Sequence, residues 1–237
     1  MKAELLARSP QAIRRMFAEL APYYDCSNTL LSFGVHHWWR WKAVHLSGVR
    51  EGMSVLDCAT GTGDFALAFW RRVGPSGRVV GVDFCEAMLE RARQKAQRRG
   101  VPIQLIRADC LALPFAEATF DVSGIAFGIR NVQDCGACLR EMARVVRPGG
   151  RVVVLELGQP KGVLRSVYAL YSRYWIPLFG ELFAQNRRAY EYLHASSASF
   201  PSGQEFVDML QQLGVFREVR MYPFTGGIAW CYVATVV

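Results

Sequence analysis

Residues 55–64 read V-L-D-C-A-T-G-T-G-D, and the order of residue types in this stretch decides the fold. Val55 and Leu56 form a short apolar run that ends in a carboxylate, Asp57. Gly61, Thr62 and Gly63 follow in a loop of small residues, and from Asp64 to Val73 the apolar residues recur at helical spacing. Strand, glycine turn and helix in that order open a doubly wound nucleotide-binding fold. Glycines suit the turn because, with no Cβ, they let a ligand reach backbone N–H groups directly.

The chain on either side repeats the alternation. Residues 77–83 (G-R-V-V-G-V-D) read as a second strand ending in a carboxylate, Asp83, and residues 85–99 as its helix. Further strands are expected at 103–107, 120–127 and 151–157, with a helix at 134–146 and a turn at Pro148-Gly149-Gly150. This spacing argues for a parallel sheet covered on both faces. Phe216 to Met221 and Ile228 to Val236 read as two last strands, a hairpin at the sheet edge. The expected architecture is α/β, a doubly wound, mostly parallel seven-stranded sheet with an antiparallel edge hairpin.

Before the core, residues 9–24 carry a Ser-Pro start signal and Ile13, Met16, Phe17 and Leu20 at helical spacing. A turn-prone link at 25–28 follows, then an aromatic segment, G-V-H-H-W-W-R at 34–40, that opens a second helix. Residues 1–51 are thus expected to be a helical cap over the site, 52–157 the cofactor-binding core, 158–202 an aromatic helical insertion, and 203–237 the last helix and edge strands. All belong to one domain, 1–237, a length that can bury a full core.

Half of the residues are hydrophobic and a fifth charged, a globular composition with no apolar run long enough to span a bilayer. The N-terminal residues show no apolar signal core, which points to a cytoplasmic protein. The seven cysteines are odd in number and scattered, unlike a disulfide framework. Cys135 and Cys138 have C-x-x-C spacing but lack a second pair or a nearby histidine, so packed free thiols are the better reading, and no metal site is expected. A net charge of +8 suits nucleic acid, acidic substrates or an anionic membrane. The densest basic run, 91–99, alternates with a helical apolar stripe and reads as a solvated helix face, with no pattern specific to nucleic acid.

Two nucleotides fit the loop. A dinucleotide would use Gly61, Gly63 and Ala66 with Asp83 on its ribose. A pyrophosphate, however, favours a helix N-terminus free of negative charge, and Asp57 and Asp64 stand on either side of these glycines. Their charge favours a cationic ligand. S-adenosylmethionine, with an ammonium, a sulfonium and no phosphate, answers that description.

The sequence resembles the ubiquinone/menaquinone biosynthesis C-methyltransferases, a family of class I S-adenosylmethionine-dependent methyltransferases, over nearly its whole length. The resemblance is carried by M-F-A-E-L-A-P-Y-Y-D at 16–25, S-F-G at 32–34, W-R at 39–40, G-T-G-D at 61–64, L-P-F at 113–115, F-G-I-R-N at 127–131, R-P-G-G at 147–150 and L-E at 155–156. Y-x-Y-L at 190–193, F-P at 200–201 and T-x-G-I at 225–228 extend it. L-P-F and R-P-G-G are common among methyltransferases; F-G-I-R-N together with F-x-x-x-A-x-x-Y-D is specific to the family.

The resemblance implies that Gly61, Thr62 and Gly63 hold the methionine end of the cofactor, that Asp83 accepts both ribose hydroxyls, and that Asp109 accepts the adenine amino group beside the Cys110 N–H. Ala126 stands where the family commonly has serine, which removes one hydroxyl contact, and Gly158-Gln159 replaces a frequent Ser-Lys. The implied substrate is a polyprenyl quinol, with Arg130 and Asn131 polarising a quinol oxygen or positioning the water that takes its proton. Each residue has a plainer reading as well. Arg130 could simply salt-bridge a helix, Tyr24 could cap one rather than line the lid, and Tyr190 could belong to the core rather than the ring pocket. A packed or surface histidine is commoner than a catalytic one, so His36 and His37 are given no role. A greasy channel through the aromatic insertion, contact with a membrane surface and a homodimer are all compatible with the sequence, and no nucleic-acid partner is expected. Competing readings are a methyltransferase of another small molecule or lipid, a nicotinamide-dependent oxidoreductase, and a binding protein without turnover.

Overall fold

The structure is a computed structural model that describes residues 9–160 and 187–237, together with Tyr171 and Tyr174. Three helices come first: α1 (Pro10–Leu20), α2 (Tyr24–Leu31) and α3 (Val35–Leu46). The core then runs β1 (Ser54–Cys58), α4 (Asp64–Val73), β2 (Arg78–Asp83), α5 (Glu86–Arg98), β3 (Gln104–Arg107), β4 (Phe120–Ala126), α6 (Cys135–Arg144) and β5 (Val146–Leu157). After it come α7 (Arg187–Ser199), α8 (Gln204–Gln212), β6 (Phe216–Phe224) and β7 (Ala229–Val236).

The seven strands form one sheet in the order β3-β2-β1-β4-β5-β7-β6. Only β7 runs antiparallel to its neighbours, inserted between β5 and β6, so the outer edge of the expected hairpin is β6. The strand order reverses between β1 and β4, which pair in parallel from Val55↔Val122 to Cys58↔Ile125. A crevice therefore opens at their C-terminal ends, where sheets of this kind bind ligands.

Alternation along the strands builds two cores. Leu56, Val80, Ile125, Val152 and Val154 face α6 and α8, while Val55, Val79, Val122, Val153 and Leu155 face α3 and α4. On the second face Phe65 and Phe69 of α4 pack with tilted rings, centroids 4.3 Å apart, both buried. Truncating such a phenylalanine to alanine costs about 3–5 kcal/mol. Covering both faces explains why the strands read as near-continuous apolar runs.

Two local expectations change. The link at 25–28 is helical, part of α2, because Tyr23 to Leu31 closes successive backbone bonds such as Ser27 N to Tyr23 O at 2.9 Å. The R-P-G-G turn lies inside β5, where the pairing with β4 shifts register between Phe120 and Val122. The aromatic insertion at 158–202 lies outside the described residues except for 158–160, Tyr171, Tyr174 and the segment from 187. Among the described residues, no helix is long and apolar enough to cross a membrane.

Candidate functional site

At the switch point both central strands end in a strained turn. Ala59 follows β1 at φ +47° and Phe127 follows β4 at φ +59°, a left-handed backbone that non-glycine residues adopt only where the surroundings enforce it. Gly128 makes the close approach feasible, since a Cβ there would lie 2.8 Å from the Ala59 Cβ. In the loop after β1, Gly63 takes φ +83° and would set a Cβ 3.2 Å from that of Ala92, so it seats α4 against α5.

The cleft beside these turns is lined by Ala59, Gly61, Asp83, Asp109, Cys110, Ala126, Phe127 and Asn131, and α1 adds Pro10, Ile13 and Phe17 across it. Asp83 ends β2. Its Oδ2 accepts the Gly61 N–H at 2.8 Å and its Oδ1 the Cys85 N–H at 2.9 Å. Burial pushes its carboxyl up to about 6, with those two backbone donors working against the rise. Asp109 is exposed, its Oδ1 accepting the Leu111 N–H at 2.9 Å. Behind the wall the thiols of Cys58, Cys110 and Cys138 are buried together in the core. The described cysteines are all free, and Cys138 packs in the core.

The two aspartates flanking the glycines do less than their positions in the sequence suggest. Asp57 is 1% exposed and accepts the Thr60 hydroxyl at 2.6 Å, and burial pushes its carboxyl up to about 7. Asp64 meets Lys95 Nζ at 2.7 Å, and the same ammonium meets Asp25 at 2.6 Å. Burial works against the Asp64 charge, but Arg40 and Lys95 outweigh it and hold its carboxyl low. Thr62 donates to Asp25 Oδ1 at 2.6 Å and accepts from Lys95 at 3.1 Å. This cluster ties α2 of the cap to the glycine loop and to α5. The carboxylates that face the cleft are therefore Asp83 and Asp109.

A second cavity, of about 370 Å³, lies beyond Phe127 and shares Tyr24 and Phe127 with the cleft. Its described walls combine Leu31, Phe33, Val35 and Trp39 of the cap with Leu157, Leu193, Ile228 and Tyr171. Trp39 Nε1 donates to Thr225 Oγ1 at 2.9 Å, which fastens α3 to the turn before β7. Arg130 also reaches this cavity. Its Nη1 donates to Glu156 Oε1 at 2.6 Å and to the Phe127 carbonyl at 2.8 Å. Burial opposes its charge, yet the Glu156 carboxylate outweighs that and raises its pKa, so the guanidinium stays protonated.

His36 lines the same cavity, and its tautomer follows from counting protons. Ser32 Oγ lies 2.6 Å from the Asn28 carbonyl and 2.6 Å from His36 Nδ1. A hydroxyl has one proton and a carbonyl has none to give, so Nδ1 carries the other. Burial, then Arg40, lowers this imidazole to about 3, and it is neutral. His36, His37 and Asp64 bring ligand atoms within 4.8 Å of one another, but Lys95 sits on the Asp64 carboxylate and Arg40 lies near, which opposes a further cation.

Of the residues expected from sequence, Gly61, Asp83, Asp109, Cys110, Ala126 and Asn131 share the cleft wall. Thr62 and Gly63 stand behind it as described above. Arg130 lies on the second cavity and Tyr24 on both. Tyr190 lines neither; it is 5% exposed and packs with Ile13, Met16, Leu20 and Leu31. The sequence assigns no role to two participants. Tyr192 donates to Asn131 Oδ1 at 3.0 Å across 61 residues, and Lys95 belongs to a basic run whose other members face solvent.

The sequence matches the ubiE/COQ5 methyltransferase family over residues 6–236. The chain belongs to that family. It is 47% identical over 229 residues to a ubiquinone/menaquinone biosynthesis C-methyltransferase, UbiE, of Bdellovibrio bacteriovorus, covering 96% of this chain and 97% of that one. It is 41% identical over 220 residues to a demethylmenaquinone methyltransferase of Staphylococcus aureus, covering 92% and 90%. Solved structures share the fold at lower identity. A methyltransferase of Thermotoga maritima, described as a possible histamine N-methyltransferase, aligns with TM-score 0.67 at 18% identity over 94% of this chain and 99% of its own. One from Aquifex aeolicus aligns with TM-score 0.60 at 20% identity over 84% and 89%. Family and fold together imply S-adenosylmethionine as the methyl donor.

Proposed function

We propose that this enzyme methylates a ring carbon of a polyprenyl quinol in quinone biosynthesis, with a demethylmenaquinol as its substrate. The observation that carries the reading is that a cleft bearing Asp83 and Asp109 meets a largely apolar cavity at Tyr24 and Phe127, beside the names borne by relatives of 41–47% identity. The residues of the cleft fit the donor. Asp83 offers two carboxylate oxygens for a ribose diol, Asp109 and the Cys110 N–H flank an adenine edge, and Gly61 leaves room for backbone contact with the methionine end. When bound, S-adenosylmethionine supplies a methyl activated by its sulfonium, and the leaving group departs neutral.

The task left to the chain lies at the nucleophile. A quinol carbon attacks well only when its neighbouring oxygen carries negative charge. Arg130, a protonated guanidinium held by Glu156, stabilises that charge as the phenolic proton leaves. It cannot be the base itself. Asn131, oriented by Tyr192, holds the water that takes the proton, and Tyr24 closes the ring against the cleft. Once the ring carbon had taken the methyl, its own proton would pass to the water held by Asn131 and the quinol oxygen would regain one, restoring the aromatic quinol with a single proton released overall. Incubation with methyl-labelled S-adenosylmethionine and reduced demethylmenaquinone tests this, with label expected in the quinol fraction. An unlabelled quinol alongside intact S-adenosylhomocysteine binding would assign the enzyme another substrate.

A further inference from the structure

The cap buries one face of α3 and leaves aromatic residues on the other. His36, Trp39, Arg40, Ala43 and Val44 point inward, while Trp38 and Trp41 are 43% and 53% exposed. Of the eight exposed large apolar residues among those described, five fall between residues 23 and 41. Phe33, 78% exposed at the corner between α2 and α3, also lines the apolar cavity and so stands at its opening. Phe33 thus belongs both to the exposed apolar residues of the cap and to the cavity wall.

Cations border this surface. Lys42 Nζ lies 4.9 Å from the centre of the Trp38 ring. Beside Trp41 a surface hollow of about 560 Å³ is lined by Arg71, Arg72 and Arg99, and its one carboxylate, Asp64, is paired with Lys95. Tryptophans flanked by cations match the interface of an anionic bilayer, where indole rings lie at headgroup depth and basic side chains meet lipid phosphates. A second copy of the chain would instead set like charges against each other across a two-fold axis.

We propose that this face of the cap docks on an anionic lipid bilayer, with Phe33, Trp38 and Trp41 in the interfacial layer and Lys42, Arg71, Arg72 and Arg99 on lipid phosphates, so that the apolar cavity opens toward the acyl chains. The proposal deepens the quinol reading and rests on it, since a polyprenyl tail keeps the substrate in the membrane.

The test uses the full chain in two assays. In sedimentation, vesicles containing phosphatidylglycerol should retain the protein about tenfold better than phosphatidylcholine alone, with the preference falling as salt is raised. The double variants Trp38→Ser/Trp41→Ser and Arg71→Glu/Arg99→Glu should each lose about tenfold of that binding. In turnover, both should match the unchanged protein on a short-tailed, water-soluble demethylmenaquinol and fall behind on a long-tailed quinol in vesicles. The short-tailed substrate also shows that the variants are folded. Equal retention by both vesicle types, or unimpaired turnover of vesicle-borne quinol by both variants, overturns the docking face. Variants that turn a dimer into a monomer without changing vesicle binding do so too. If the unchanged protein leaves the short-tailed quinol unmethylated, the quinol reading fails on its own, and the sedimentation result still decides the surface.

Discussion

The cleft beside Gly61 takes its polar groups from strand ends and backbone turns, whereas the cavity beyond Phe127 takes its walls from side chains on separated segments. In the first, Asp83 ends β2 and Gly61 follows β1 by three residues, and because the two strands are parallel neighbours their 2.8 Å bond is a product of the sheet order. In the second, Trp39, Arg130, Leu193 and Ile228 come together only after the cap and the C-terminal strands have packed. The difference teaches which chemistry a fold carries by default and which each sequence must build for itself. A parallel sheet with a switch point supplies the cleft proposed for the cofactor; the cavity proposed for the substrate depends on what is laid over it.

Breaking either side should leave the other working. The largest effect is expected from Asp83→Ala. It removes the two charge-assisted contacts proposed to the ribose, about 3–6 kcal/mol in all, so S-adenosylhomocysteine titrated by calorimetry should bind roughly a hundredfold or more weaker. Affinity of a quinone analogue for the cavity should stay unchanged. Next comes Arg130→Ala, which strands Glu156, only 2% exposed in its side chain. The cost should be about 3–5 kcal/mol in denaturant unfolding. Arg130→Met with Glu156→Gln should recover much of that stability while turnover remains low and S-adenosylhomocysteine still binds.

A gentler separation uses pH. Asp83 is raised to about 6 by burial, and a carboxylate accepts hydroxyl protons best when ionised. S-adenosylhomocysteine affinity should therefore be level above pH 6 and fall about tenfold per pH unit below it. Asp83→Asn should bind weakly with no such slope, and a slope that persisted would assign the titration elsewhere. The smallest effect belongs to Tyr192→Phe. Losing its bond to Asn131 should lower kcat about fivefold, the equivalent of about 1 kcal/mol, with cofactor affinity intact.

The same contrast explains what could be read from the sequence. The alternation of strands and helices, the glycine turn and the carboxylates closing β1 and β2 are local patterns, and the sheet realises them. Asp64 misled because its partner, Lys95, is 31 residues away and hidden in a basic run; periodicity marks a helix face but does not say which charge turns back to the loop. The link at 25–28 misled because Asp25 and Asn28 are turn formers in isolation, whereas tertiary contacts of Asp25 with Thr62 and Lys95 keep it helical. F-G-I-R-N places Arg130 and Asn131 correctly at the end of β4, yet nothing in the motif tells that they face different cavities.

The proposed function requires a cofactor and a quinol in adjoining chambers divided by Tyr24 and Phe127. The most direct measurement is a crystal structure with S-adenosylhomocysteine and a short-tailed menaquinol bound together. Adenosine between Gly61 and Asp109, with the quinol ring beside Tyr24 and Arg130 and its methyl directed at the sulfur, is the predicted result. A ring bound away from the Phe127 cavity, or a nucleotide bound away from Asp83, would rule out the adjoining-chamber arrangement.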